Sequence, residues 1–195
     1  MKNSKLFLCI FTILLIILVV KIYSNYKNQG VNVPKKVLFY VLPEGNFKGT
    51  AKYGRSNIYK NGLKLIVTAK IKHHQDGVVV TNTIEAYDLK TNKYAYFEKR
   101  VINYDYKLNH GLNVFRNTKS YVNNRLVSSS HGKIVSYSPN SITILSNGSW
   151  HISTHEHTIK TKISRVGNKL ISKYINNGPI PILHDVHMTE IYDKV

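Results

Sequence analysis

The sequence predicts an all-β fold, an antiparallel up-and-down meander preceded by one N-terminal hydrophobic helix. Three observations carry this. Apolar and polar residues alternate with a period of two over the best-patterned segment. Turn signals recur at short, regular spacing. One long apolar run lies at the N-terminus, and no segment after residue 24 has helical periodicity.

The alternation is clearest from Leu63 to His73. Leu63, Leu65, Val67, Ala69 and Ile71 alternate with Lys64, Ile66, Thr68, Lys70 and Lys72, the pattern of a half-buried strand. Asn61-Gly62 precedes it as a two-residue hairpin turn, and Gln75-Asp76-Gly77 follows as another. Val78 to Tyr87 is rich in β-branched residues. Asp88 to Asn92 turns the chain into Lys93 to Ile102. Leu112 to Phe115, Tyr121 to Ser128, Lys133 to Tyr137 and Ser141 to Leu145 are further strands. Asn147-Gly148 reads as a turn into a long strand, Ser149 to Ile163. Leu170 to Ile175 and Val186 to Tyr192 complete the domain. Strands at this spacing build a barrel or a sandwich.

The chain of 195 residues has room for one domain and an attachment. Residues 1–23 form the attachment, residues 24–36 a polar linker with Gly30 and Pro34, and residues 37–195 the β domain. Leu6 to Val20 reads LFLCIFTILLIILVV behind Lys2 and Lys5. As a helix it spans roughly 22 Å, and Lys21, Ile22 and Tyr23 extend it towards the interface. The reading is a single-pass signal anchor with the domain periplasmic or extracellular. Cleavage after Ser24 would instead give a secreted protein. Cys9 is the one cysteine, which excludes a disulfide scaffold and a cysteine zinc site. Bulky Leu8 before it excludes a lipoprotein signal.

There are 28 Lys plus Arg against 10 Asp plus Glu, a formal charge of +18. A field of that sign favours anionic partners such as lipid headgroups. Tyr94, Tyr96, Tyr104, Tyr106 and Tyr121 interleave with Lys99, Arg100, Lys107, Arg116 and Arg125. Such a pattern can stack single-stranded nucleic acid, but the apolar N-terminal run argues for lipid contact instead. The scarce, scattered acids leave little for paired-carboxylate chemistry. No nucleophile elbow, P-loop or dinucleotide fingerprint is present. Ser128-Ser129-Ser130-His131 is adjacency, not a triad. The chain does not read as an enzyme.

Gly45-Asn46-Phe47-Lys48-Gly49, followed by Tyr53-Gly54, resembles the first strand of lipocalin-like proteins, whose Gly-x-aromatic element closes the barrel base. Phe47 stands where lipocalins carry Trp. With the meander behind an export-type signal, the chain is similar to lipocalin-like bacterial envelope proteins. The resemblance implies a small barrel with an interior for a lipid-like ligand. Leu65, Val67, Ile71, Val80, Ile84 and Ile159 are then the candidate apolar lining. The expected function is non-catalytic binding of an apolar or amphipathic ligand, anionic heads included, with membrane lipid as a source.

Histidines supply the other candidate chemistry. In Trp150 to Ile163, WHISTHEHTIKTKI, Lys160 and Lys162 should face water. Ile159 and Ile163 then face inward, and His155 and His157 share their parity. Two histidines about 7 Å apart on one face suit a zinc or copper ion. His151, His184 or His187 would supply a third ligand, with Asp185 and Glu190 nearby in sequence. The alternatives are ordinary hydrogen bonding, and titration near neutral pH within a ligand pocket.

Overall fold

The structure is a computed structural model describing residues 11–19, 30–55, 62–106, 114–150, 153–177 and 186–195. The described strands are β1 (Gly45–Arg55), β2 (Leu63–His74), β3 (Gly77–Asp88), β4 (Tyr94–Tyr106), β5 (Val114–Val122), β6 (Arg125–Ser138), β7 (Ser141–Trp150), β8 (Ser153–Val166), β9 (Lys169–Asn177) and β10 (Val186–Lys194). Each pairs antiparallel with its neighbours in sequence. β1 also pairs with β10, Phe47 opposite Lys194, so the sheet closes into a barrel with no free edge. The alternatives of barrel and sandwich thus resolve to a barrel. It has ten strands among the described residues, where lipocalins have eight.

Two stretches differ from the sequence expectation. Asn147-Gly148 does not turn. Both residues lie inside β7, Asn147 opposite His131 and Thr158, Gly148 opposite Ser130 and His157. An Asn-Gly pair reverses the chain only where its flanks are free to pair with each other, and here β6 and β8 run past it on both sides. The long strand expected from Ser149 is accordingly divided between β7 and β8. Upstream, three short strands prove to be two long ones, β5 and β6. The turn between them is Asn123-Asn124, with φ of 48° and 65°. Asparagine tolerates that left-handed region, and two such residues match the twist of a tight hairpin. Polar Asn117, Ser120 and Ser128–Ser130 hid the strands, because pairing on both sides holds residues of weak strand preference.

A short α-helix also escapes the sequence pattern. It is α2 (Lys35–Val41), which follows Pro34 and buries Leu38 and Val41 on one side. Seven residues are too few to display a helical period. With Val33 and Leu42 this segment forms a floor across one end of the barrel. The His73 ring nitrogen Nε2 donates to Leu42 O at 2.7 Å, and Phe39 stacks on His73 at 4.1 Å. Arg165 Nη1 donates to Tyr40 O at 3.1 Å, Tyr106 Oη to Val33 O at 3.1 Å and Val31 N to Ile134 O at 3.0 Å. Lys35 Nζ bonds Gln75 O. β1 starts beside this floor, and Phe47 is buried on its inner face.

The N-terminal anchor is not supported. Helix α1 covers residues 11–19, with its apolar side chains about half exposed. The nine described residues rise about 13 Å at 1.5 Å each, against a ~30 Å hydrocarbon core. Among the described residues no helix is long and apolar enough to cross a membrane. The periplasmic or extracellular placement of the domain rested on that anchor and falls with it. Residues 1–10, 20–23 and the cleavage point at Ser24 lie outside the described residues.

Candidate functional site in the barrel interior

The register fixes which residues face the interior. Directly opposite residues in an antiparallel sheet share a face. Rows such as Asn82, Arg100, Ser120 and Ser128, or Val78, Tyr104, Arg116, Gly132 and Ser146, therefore run around the inner wall. Near the floor this wall is apolar: Phe47, Ile71, Val80, Val114, Ile134, Ile142, Ile144, Ile163 and Leu170 are all buried. Further up it becomes polar.

Across the middle of the lumen runs a strut. Arg100 Nη1 on β4 donates to Glu190 Oε1 on β10 at 3.0 Å and to Tyr174 Oη on β9 at 3.0 Å. Tyr174 Oη donates to Glu190 Oε2 at 2.6 Å, and Tyr192 Oη to the same oxygen at 2.9 Å. Arg100 Nε meets Glu98 at 2.6 Å. β4 and β10 are separated by β3, β2 and β1, so the pair spans the interior rather than the wall. Glu190 is 0 % exposed, while Arg100 and Glu98 keep 13 % and 15 % of their side chains in contact with solvent. Burial holds the Glu190 carboxyl above the usual range, against the pull of Arg100 and the two tyrosines. Burial also raises the Tyr174 and Tyr192 phenols, which stay protonated donors.

Beneath the strut lies a small cavity. It is lined by Leu42, Ala69, Val80, Ile102, Ile163 and Leu170 on the apolar side. The polar side is Asn82, Tyr104, Arg116, Thr161, Ser172, Tyr174 and Tyr192. On β3, β4 and β10 the lining residues sit closer to the floor than Ile84, Arg100 and Glu190, which places the strut as the ceiling. Room for the centre of a water-sized sphere totals about 20 Å³. Arg116 is 3 % exposed. Its Nη1 donates to Ser146 Oγ at 3.2 Å, while its Nε has no partner. Asn82 Oδ1, Thr118 Oγ1 and Thr161 Oγ1 are likewise buried without one. Gly132 makes room for this arrangement, since a Cβ there would strike Leu145 O and Ser146 Oγ.

Above the strut the wall from β5 to β7 has almost no side-chain bulk. Its inward positions there are Ser120, Ser128, Ser130 and Gly148. Ser128 and Ser130 are only half-buried although they face inward. Among the described residues, the wall thus keeps partial solvent contact towards the end opposite α2. On the facing side, Tyr53 and Tyr96 join hydroxyls at 3.2 Å across β2 and β3, over buried Leu65, Ile84 and Ala86.

The predicted lining residues sit as follows. Leu65, Val67 and Ile71 are buried on the inner face of β2, Val80 and Ile84 on that of β3, and Ile159 is half-buried on β8. Val80 alone among them lines the cavity. The histidines divide. His151 and His184 lie outside the described residues. His155 and His157 fall on the β8 backbone, His157 opposite Gly148. His187 on β10 pairs with Ile175 on β9 and alternates with inward Met188 and Glu190, so it takes the outward face. Among the described residues no group of three His, Cys, Asp or Glu is placed to hold a metal ion.

Sequence reading missed the interior charges: it sets Arg100 and Arg116 in a cation–aromatic pattern suited to lipid contact and Glu190 beside the histidines. One signal was available. Met188, Glu190 and Tyr192 share one parity, as do Val114, Arg116 and Thr118, so each charge sits on the apolar phase of its strand.

No family model matches this chain, and no curated protein matches it in sequence. The fold has a solved counterpart. The chain is similar to the crystal structure of Rv2717c from M. tuberculosis, with a TM-score of 0.55 over 84 % of this chain and 99 % of that one. The two are 12 % identical, a likeness that establishes the fold alone. The ten-stranded antiparallel barrel is consistent with the lipocalin-like architecture and compatible with ligand binding.

Proposed function

We propose that this barrel is a non-catalytic binding protein for a small amphipathic ligand. The ligand enters at the end opposite α2 and rests above the strut, against β5 to β7. The observation that carries this reading is the wall of Ser120, Ser128, Ser130 and Gly148, free of large side chains, with Ser128 and Ser130 in partial contact with solvent. Closed barrels of this size fill their interiors with side chains unless a ligand takes the space. Half-buried Ile159 and buried Met188 offer the apolar contact, and Thr118 Oγ1, buried and unpartnered, awaits a polar head. The filled floor excludes a long chain threaded through the barrel.

The test uses the full-length protein. Native mass spectrometry without added lipid, followed by titration with an environment-sensitive fluorescent fatty acid, should reveal a co-purified small molecule or saturable uptake. Ser130→Leu fills the wall and should weaken uptake at least tenfold with an unchanged melting temperature. Bare protein with no saturable uptake refutes the reading, as does a Ser130→Leu variant that binds as well as wild type.

A further inference from the structure

We propose that the cavity beneath the Arg100–Glu190 strut is a binding site for a monoatomic anion of halide size, anchored by Arg116. This site is separate from the ligand space above the strut and does not depend on it.

The argument begins with charge. A buried cation needs a counter-charge, because leaving it in low dielectric without one is costly. Arg116 has none at ion-pair distance among the described residues. Its side-chain partners are neutral hydroxyls, Ser146 Oγ at 3.2 Å and the phenol of Tyr104. Glu190 is engaged by Arg100, Tyr174 and Tyr192. Glu98 is held by Arg100 on the mouth side of it. Neither lines the cavity.

The donor set agrees. No carboxylate is among the described lining residues, whereas Arg116 Nε and Thr161 Oγ1 are both buried, unpartnered and part of that lining. The hydroxyls of Tyr104 and Ser172 line it too. Asn82 has an unpartnered amide oxygen there, and which end of an amide faces a site is set by the partner it finds. With an anion present, its NH2 turns inward.

Size selects the class. A single water needs about 10–15 Å³ of sphere-centre space, and the cavity has about 20 Å³. One halide fits. A phosphate, sulfate or carboxylate ligand does not. Water alone would satisfy the hydrogen bonds and leave the Arg116 charge unanswered.

Bromide tests this, because it scatters anomalously and substitutes for chloride. Crystals of the full-length protein grown in sodium bromide should show an anomalous peak within hydrogen-bond reach of Arg116 Nε and Thr161 Oγ1. In solution, exchanging gluconate for bromide at constant ionic strength should raise the melting temperature along a saturating curve. Thr161→Val should lose at least half of that rise, and Arg116→Met all of it. If Arg116→Met does not fold, the near-isosteric Thr161→Val decides. A cavity holding only water at high bromide overturns the proposal. So does a rise that is the same with gluconate or unaltered in Thr161→Val.

Discussion

Arg100 on β4 reaches across the barrel to Glu190 on β10, Nη1 to Oε1 at 3.0 Å, while its Nε holds Glu98 at 2.6 Å. One cation thus stands between two carboxylates. The arrangement is lopsided, and the lopsidedness decides how substitutions behave.

Removing the cation leaves two carboxylates together, one of them fully buried. Arg100→Met should therefore destabilise by about 3–5 kcal/mol, the range for stripping a buried charge of its partner. Glu190→Gln leaves a neutral Glu98–Arg100 pair and keeps the shape, so it should cost less than about 1 kcal/mol. Urea denaturation of both variants measures the difference. Equal losses would show that the strut acts as a simple pair.

The same group sets a pH dependence. The folded-state pKa of Glu190 lies above its ordinary 4.5, because burial disfavours the charge. Between the two values the folded state binds more protons than the unfolded one, so this group's contribution falls as pH rises through that window. Wild type should lose stability relative to Glu190→Gln as pH rises above the ordinary carboxyl value of 4.5, other groups cancelling in the comparison. A constant difference across that range would contradict the raised value.

Gly132 faces Ser146 across the β6–β7 pair, next to Arg116. Its missing Cβ leaves space that Leu145 O and Ser146 Oγ occupy. A carbonyl oxygen of the sheet cannot move aside cheaply. Gly132→Ala should cost about 1–3 kcal/mol, the range for overpacking, and should displace Ser146 from Arg116. Thermal unfolding reads the first effect and a crystal structure of the variant the second.

Leu42 is buried, caps the floor and lines the cavity. Leu42→Ala should destabilise by about 2–5 kcal/mol, depending on how far α2 settles into the gap. The bromide-dependent rise in melting temperature should survive, since Leu42 offers no polar group. A variant as stable as wild type would mean that the floor contributes little.

The barrel wall was legible in the sequence where alternation is strong. Leu65, Val67 and Ile71 face inward on β2 as their parity requires. Lys160 and Lys162 face out on β8. Legibility failed where inward positions are small or polar. Ser128, Ser130, Gly132 and Gly148 carry no apolar period, so β6 and β7 read as fragments and turns. The interior charges escaped for a related reason. Arg100 and Glu190 lie far apart in sequence, and nothing local states that a closed sheet will bring them together. α2 was invisible because its two buried residues, Leu38 and Val41, are too few to define a face.

The floor has a kinetic consequence. Residues 31–42 leave the ribosome before any strand, yet they bond to residues on β2, β4, β6 and β8. These partners are gathered at one end only once the wall has curved round. Closure itself waits for Phe47 to meet Lys194 at the other end of the domain. Pairings of such long sequence separation are slow to form. A segment synthesised ahead of every strand thus depends for its full set of contacts on strands made long after it.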